Sequence, residues 1–205
     1  MALIDNPAGL NIQEFDFSRF LTDEDNRVAC AIIDHLIDVK DLWQRGAPKY
    51  QTNSILFDYA PDSYEMMRFR LTYLISCFSF LGKEVGFRDI ISWGLRFSSE
   101  TPLETGQDLD SIDLSTRDHQ WHQHTVATTP WCSGVYYAHI PEDYDINISG
   151  TEFADRDPNT NPDAIKFQIH PKPFTWYIWH SEYWHRPCAG QSTSNRYIIS
   201  ADLDK

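Results

Sequence analysis

Cysteine is sparse in this 205-residue chain, and what there is does not come in pairs. Cys30, Cys77, Cys132 and Cys188 are scattered, with no Cys-x-x-Cys motif. In a domain of this size that argues against a disulfide framework and for buried thiols. Positive charge is also short: 17 Lys and Arg stand against 30 Asp and Glu, a formal net charge of -13, with a pI near 4.8. Nucleic acid and anionic membrane surfaces both require a basic face, so neither is expected as the main partner. A basic substrate or a basic carrier protein would suit such a surface, although solubility alone accounts for it about as well. No apolar run approaches the roughly eighteen residues of a spanning helix, and Met1 to Pro7 lack the basic and apolar regions of a signal peptide. The expectation is a soluble, cytoplasmic protein with no membrane partner. No Gly-x-Ser-x-Gly elbow occurs, which sets aside a hydrolase reading of Ser133. Internal repeats, low-complexity tracts and interdomain linkers are absent as well, and the length suits one domain spanning residues 1–205.

What is present is apolar and aromatic: 41% hydrophobic residues, 14% aromatic, seven of them Trp. Phe15, Phe17 and Phe20 are candidate anchors for an otherwise mixed N-terminal stretch. Thr22, followed three residues later by Asp25, resembles a capping box. Val28, Ile32, Ile33, Leu36, Ile37 and Trp43 then recur at helical spacing, until Gly46 and Pro48 end the helix. Residues 52–58 fit an edge strand. Pro61 and Asp62 open a second helix that Gly82 stops. From Phe87 onward the pattern changes to short β-like runs at residues 90–97, 133–140, 150–153 and 165–169. The acidic stretch 100–118 reads as a surface loop or lid, and 141–147 and 154–162 as further loops. The C-terminal stretch Trp176 to Ser200 reads as two strands joined by a turn containing Gly190, with His185 closing the first strand and Arg196 opening the second. Helices first and many short strands after predict an α+β domain, in which residues 1–86 form a mainly helical buttress and 87–205 a β-sandwich or barrel.

The chemistry-bearing residues concentrate in the second half. His122 and His124 lie two apart, so on a strand both imidazoles share one face. His185, distant in sequence, is the candidate third member of a metal site. The guanidinium of Arg196 can hold a carboxylate through two parallel hydrogen bonds. His180 and Glu182 share a face opposite in parity to His185 and are read as outlying or surface residues. His35, His119, His139 and His170 are read as structural or exposed. Trp121, Trp131, Trp176, Trp179 and Trp184 are read mainly as core, with one or two lining a substrate cleft.

Taken in order, W-H-Q-H (121–124), S-G-V-Y-Y (133–137), G-T-E-F-A-D-R-D-P (150–158), W-H-R-P (184–187) and R-Y-I-I-S (196–200) resemble the iron(II)- and 2-oxoglutarate-dependent dioxygenases, in their short prolyl-hydroxylase-like branch. The likeness covers roughly residues 119–203. It implies a double-stranded β-helix, a jelly-roll or cupin-like barrel, buttressed by the N-terminal helices. It further implies Fe(II), 2-oxoglutarate and O2 as cofactor and co-substrates, with His122 and His185 as catalytic metal ligands and Arg196 on the far carboxylate of 2-oxoglutarate. The reaction implied is hydroxylation of a C–H of a small molecule, amino acid or peptide residue, with release of succinate and CO2. The metal carries the hard step, while the protein positions groups and excludes water.

Two positions depart from the pattern. Where relatives carry a carboxylate two residues after the first histidine, this chain has His124. Either His124 ligates, or Glu152, Asp155 or Asp157 supplies the third ligand, or the position is open. Where many relatives have a hydroxyl two residues after the arginine, this chain has Ile198, and Ser200 is the nearest hydroxyl. Tyr136 or Tyr137 is then the candidate partner of Arg196 in co-substrate binding. Two other readings stay open: a cupin-like three-histidine dioxygenase or isomerase without 2-oxoglutarate, and a non-catalytic binding barrel.

Overall fold

The computed structural model describes residues 1–38, 51–52, 56–82, 89–97, 121–124, 131–143, 149–189 and 194–204. In chain order the elements are β1 (Ala2–Leu3), β2 (Ile12–Asp16), α1 (Asp23–Asp38), α2 (Leu56–Tyr59), α3 (Tyr64–Leu81), β3 (Ile90–Phe97), β4 (Cys132–His139), β5 (Ser149–Ala154), β6 (Lys166–Ile169), β7 (Thr175–Trp179), β8 (Trp184–Ala189) and β9 (Arg196–Leu203). Six strands form one sheet in the order β1-β2-β7-β4-β9-β3, and three form a second in the order β6-β5-β8. An antiparallel bridge between His122 and His185 lays the 121–124 segment along the free edge of β8. From β3 onward the chain crosses repeatedly between the two sheets, with β5 and β6 joined as an antiparallel pair within the smaller one. This winding is the double-stranded β-helix that the sequence predicts.

Strand alternation divides the larger sheet into two working faces. On β4, Val135 and Tyr137 point between the sheets, into an interior shared with Leu95, Phe97, Phe153, Tyr177, Trp179 and Ile198. Their neighbours Tyr136 and Ala138 point the other way, into a core with Ile33, Phe69, Tyr73 and Trp176 that the helices cover. On β9, Ile198 belongs to the barrel interior, while Tyr197, Ile199, Ala201 and Leu203 belong to the helix side.

Local chemistry fixes the helices. Thr22 caps α1: its backbone N–H and its hydroxyl both donate to Asp25, at 2.6 and 2.7 Å, and the N–H of Asp25 donates back to Thr22 Oγ1 at 3.3 Å. These reciprocal bonds satisfy donors that a helix start otherwise leaves open. Ser63 caps α3 by accepting from the Met66 N–H at 3.3 Å, and Gly82 ends it in the left-handed region at φ 66°. The helices then lie close on the sheet. A Cβ on Gly94 would sit 2.4 Å from Ile33 of α1, and one on Gly134 would sit 2.8 Å from the ring of Tyr73 on α3.

Several details differ from the sequence reading. The edge strand expected over 52–58 does not form where those residues are described: Gln51 makes a single bridge to Leu95, and residues 56–59 turn into α2. There the N–H of Phe57 is satisfied by the buried Ser92 hydroxyl of β3 at 2.9 Å, in place of a ladder partner. The N-terminal stretch contributes strands as well as helices, since β2 pairs with β7 along five residues. Phe15 is buried, but Phe20 is 40% exposed and lies under the Arg68 guanidinium at 4.7 Å. The C-terminal stretch holds three strands. β8 and β9 do not pair; they belong to opposite sheets and face each other across the barrel. The expected end of the first helix at Gly46 and Pro48 and the lid 100–118 lie outside the described residues. Among the described residues no helix is long and apolar enough to cross a membrane.

Because Tyr73 is fully buried, Gly134→Ala has no cheap way to make room. It should destabilise the protein by about 1–3 kcal/mol, the usual cost of overpacking a core. Equilibrium urea unfolding measures this directly; an unchanged midpoint would mean that the helix layer yields.

Candidate metal centre

Three imidazoles meet at one end of the barrel. His122 and His185 exchange both backbone hydrogen bonds at 3.0 Å each, so they form a directly opposed pair, with ring centroids 4.4 Å apart. His124 follows two residues on, its N–H bonded to the Ser181 carbonyl at 3.0 Å. Its ring lies 5.3 Å from that of His122 and 4.8 Å from that of His185. One ring nitrogen from each histidine falls within 4.8 Å of the others. That is the convergence a single ion requires.

Partners on the far side of two rings fix their orientation. His185 Nδ1 lies 2.8 Å from the Tyr183 carbonyl. His124 Nδ1 lies 2.8 Å from Asp202 Oδ1 and 3.1 Å from Ser133 Oγ. Carbonyl and carboxylate oxygens accept here, so Nδ1 carries the proton in both rings, and Nε2 is the nitrogen left to bind a metal when the ring is neutral. A ring nitrogen held this way by an oxygen acceptor is the common support of a metal-binding imidazole. Burial, reinforced by the two neighbouring imidazoles, pushes the pKa of His185 well below its ordinary value, leaving it neutral and fit to ligate. His124 shifts upward: burial opposes its charged form, but the field and hydrogen bond of Asp202 together outweigh burial. Trp179 packs its ring 5.2 Å from that of His185, and Trp93 lies 5.7 Å from that of His124, so apolar walls flank the cluster. The donor set, three imidazoles, suits iron among other first-row metals.

The other candidate ligands are engaged elsewhere. Glu152 accepts from Arg186 at 2.6 Å. Asp155 is bound to Arg156 and to the N–H of Ile165, and Asp157 organises the turn through Asn159 and Thr160. None of the three joins the histidine cluster. His35, His139 and His170 are exposed, and His180 packs on Phe80 at 4.8 Å. His119 lies outside the described residues.

Arg196 is 3% exposed and shares the inward face of β9 with Ile198. Its guanidinium lies 4.8 Å over the Phe97 ring and donates to the Cys188 carbonyl on the opposite sheet. It therefore reaches into the space between the sheets. Tyr136, expected beside it, does not: its side chain turns to the helices, packs on Phe69 at 5.1 Å and donates to Asn26 at 2.7 Å. Its neighbour Tyr137 faces inward, where its hydroxyl meets Thr151 Oγ1 at 2.7 Å. Sequence reasoning missed Asp202 altogether. Its signal was available, because residues 196, 198, 200 and 202 share one face of β9.

No family model matches this chain, and no curated protein does. Solved structures do. AviO1 from Streptomyces viridochromogenes Tue57 superposes with a TM-score of 0.60 at 13% identity, covering 100% of this chain and 97% of that one. The non-heme alpha ketoglutarate dependent carbocyclase SnoK from nogalamycin biosynthesis gives 0.60 at 10% identity, covering 96% and 80%. The viral collagen prolyl hydroxylase of Paramecium Bursaria Chlorella virus-1, in its 2OG complex, gives 0.55 at 14% identity, covering 96% and 97%. At these identities the likeness is one of fold: the chain has the barrel of these enzymes along nearly its whole length.

His185→Ala should weaken Co(II) binding well beyond the ~10–100-fold that loss of an outer partner costs. His35→Ala, on the exposed side of α1, should leave it unchanged. Titration of the d–d absorption checks both; equal losses would place the site elsewhere.

Proposed function

We propose that this chain is a non-haem iron(II)- and 2-oxoglutarate-dependent oxygenase that hydroxylates a C–H of a small molecule, amino acid or peptide residue. The supporting observation is a conjunction. A cluster of three imidazoles stands at one end of the barrel, and a buried guanidinium points into the same barrel. Bound iron(II) would supply the activation of oxygen, coupled to decarboxylation of 2-oxoglutarate. The chain's own contributions are steric and electrostatic. His122, His124 and His185 hold the metal, two of them already turned toward it by Asp202 and Tyr183. Arg196 pairs its fork with the far carboxylate of 2-oxoglutarate. Ile198 provides an apolar wall beside that chain, and the Tyr137–Thr151 pair offers hydroxyls on the inner surface. Trp179 and Phe153, with ring centroids 5.0 Å apart, exclude water behind His185. The structural relatives whose names state a reaction include a collagen prolyl hydroxylase and a carbocyclase from nogalamycin biosynthesis, so the fold serves more than one reaction.

A second reading, a three-histidine metal dioxygenase or isomerase without 2-oxoglutarate, draws support from His124 standing where a carboxylate is expected. Arg196 weighs against it, since such a site has no need for a cation buried between the sheets.

Anaerobic titration separates these readings. With Fe(II) and 2-oxoglutarate together, the wild-type protein should develop the weak metal-to-ligand charge-transfer absorption of a chelated 2-oxo acid. Arg196→Ala should lose that band at the same co-substrate concentration while still binding Fe(II). Metal binding with no response to 2-oxoglutarate would transfer support to the second reading. Failure to bind metal would leave a non-catalytic barrel.

A further inference from the structure

We infer that Asp202 is the positioning carboxylate of the metal centre, acting through His124 in place of a carboxylate bound to the metal directly. The inference rests on the metal-centre reading above and goes one residue beyond it. Three neutral imidazoles leave the charge of a divalent ion uncompensated, whereas two imidazoles and a carboxylate halve it. Glu152, Asp155 and Asp157 are committed to other partners. Asp202 stands directly behind one ligand, with Oδ1 2.8 Å from His124 Nδ1.

The fold holds this carboxylate rigidly. β9 lies between β4 and β3, and Asp202 is paired in register with Ser133 on one side and Ile91 on the other. Ser133 and Asp202 thus reach the same ring nitrogen from adjacent strands, at 3.1 and 2.8 Å. Asp202 is 8% exposed. An oxygen acceptor so placed fixes the orientation of the ring and strengthens its other nitrogen as a ligand. Arg196 starts the same face of the same strand, six residues away, or roughly 20 Å along the backbone. One strand then carries the proposed anchor for the co-substrate at one end and the support of a metal ligand at the other.

The test measures Co(II) binding to the whole protein, with no turnover involved. Asp202→Asn keeps the shape and removes the charge; it should weaken Co(II) binding about 10- to 100-fold and shift the d–d spectrum. The decisive comparison uses His124→Asp, which places a carboxylate on the metal directly. In that background Asp202→Asn should cost no affinity. An equal loss in both backgrounds would make Asp202 a structural residue only and overturn the inference. So would wild-type affinity and an unchanged spectrum in the single variant, although the three-histidine site would then stand. If the wild-type protein does not bind Co(II), or His185→Ala binds as tightly, the metal-centre reading fails first. Far-UV circular dichroism checks the fold of each variant. If Asp202→Asn does not fold, proton NMR of the Zn(II)-loaded wild type still decides. A downfield, exchange-protected Nδ1–H of His124 is expected, and its absence would overturn the inference.

Discussion

Two reciprocal backbone hydrogen bonds between His122 and His185 hold this site together. Among the described residues they are the only backbone bridge of the 121–124 segment to a strand. Without them the two imidazoles would belong to unrelated parts of the chain. With them, the rings sit side by side at the free edge of the smaller sheet. The bridge also sets His124, because the residue two along must return to the same face. Its N–H then finds the Ser181 carbonyl, just before the turn that leads into β8. A short run of sequence is thereby clamped at two points to the segment carrying the third histidine.

The rest of the fold makes that clamp worth having. The larger sheet is buried on both faces, by the smaller sheet on one side and by α1 and α3 on the other. Two buried polar groups on the helix side are satisfied across the layer. The Tyr73 hydroxyl donates to the Ala201 carbonyl at 2.9 Å, and the Trp176 indole donates to Thr72 at 3.0 Å. These bonds tie α3 to β7 and β9 with no group that faces the barrel interior. The helix layer supports the strands, and the inward face of β9 carries Arg196 and Asp202.

Much of this was legible in the sequence, and what was not has identifiable physical causes. The histidine pair could be placed because a spacing of two has one meaning on a strand. The cap at Thr22 and the stop at Gly82 are local chemistry, and the helices follow them closely; α3 begins at Tyr64, later than Pro61 and Asp62 suggest, because Ser63 supplies its cap. Residues 52–58 misled because a short apolar run has no period of its own, and the partners that bend it lie on β3. The choice between Tyr136 and Tyr137 could not be made from pattern. In a strand buried on both faces, neighbouring positions are equally apolar, and only the identity of the covering layer tells inside from outside. Arg196 and His185 were expected on paired strands; their strands lie in opposite sheets instead, because the chain changes sheets between β8 and β9. Asp202 went unnoticed because it lies beyond the recognisable R-Y-I-I-S run.

The two-sided character of β4 and β9 also has a bearing on descent. Each of these strands answers to two environments through a rhythm of odd and even positions. Exchanging one bulky apolar side chain for another leaves that rhythm intact, so identity can drift to the 10–14% seen against the compared barrels while the scaffold persists. Adding or dropping a single residue within either strand does not. Such a slip would swing Tyr136 into the barrel interior, or Asp202 out of it, in one event. A changed letter in either strand therefore costs far less than a changed count, except where a bulge absorbs the extra residue, as β4 does between Tyr137 and His139.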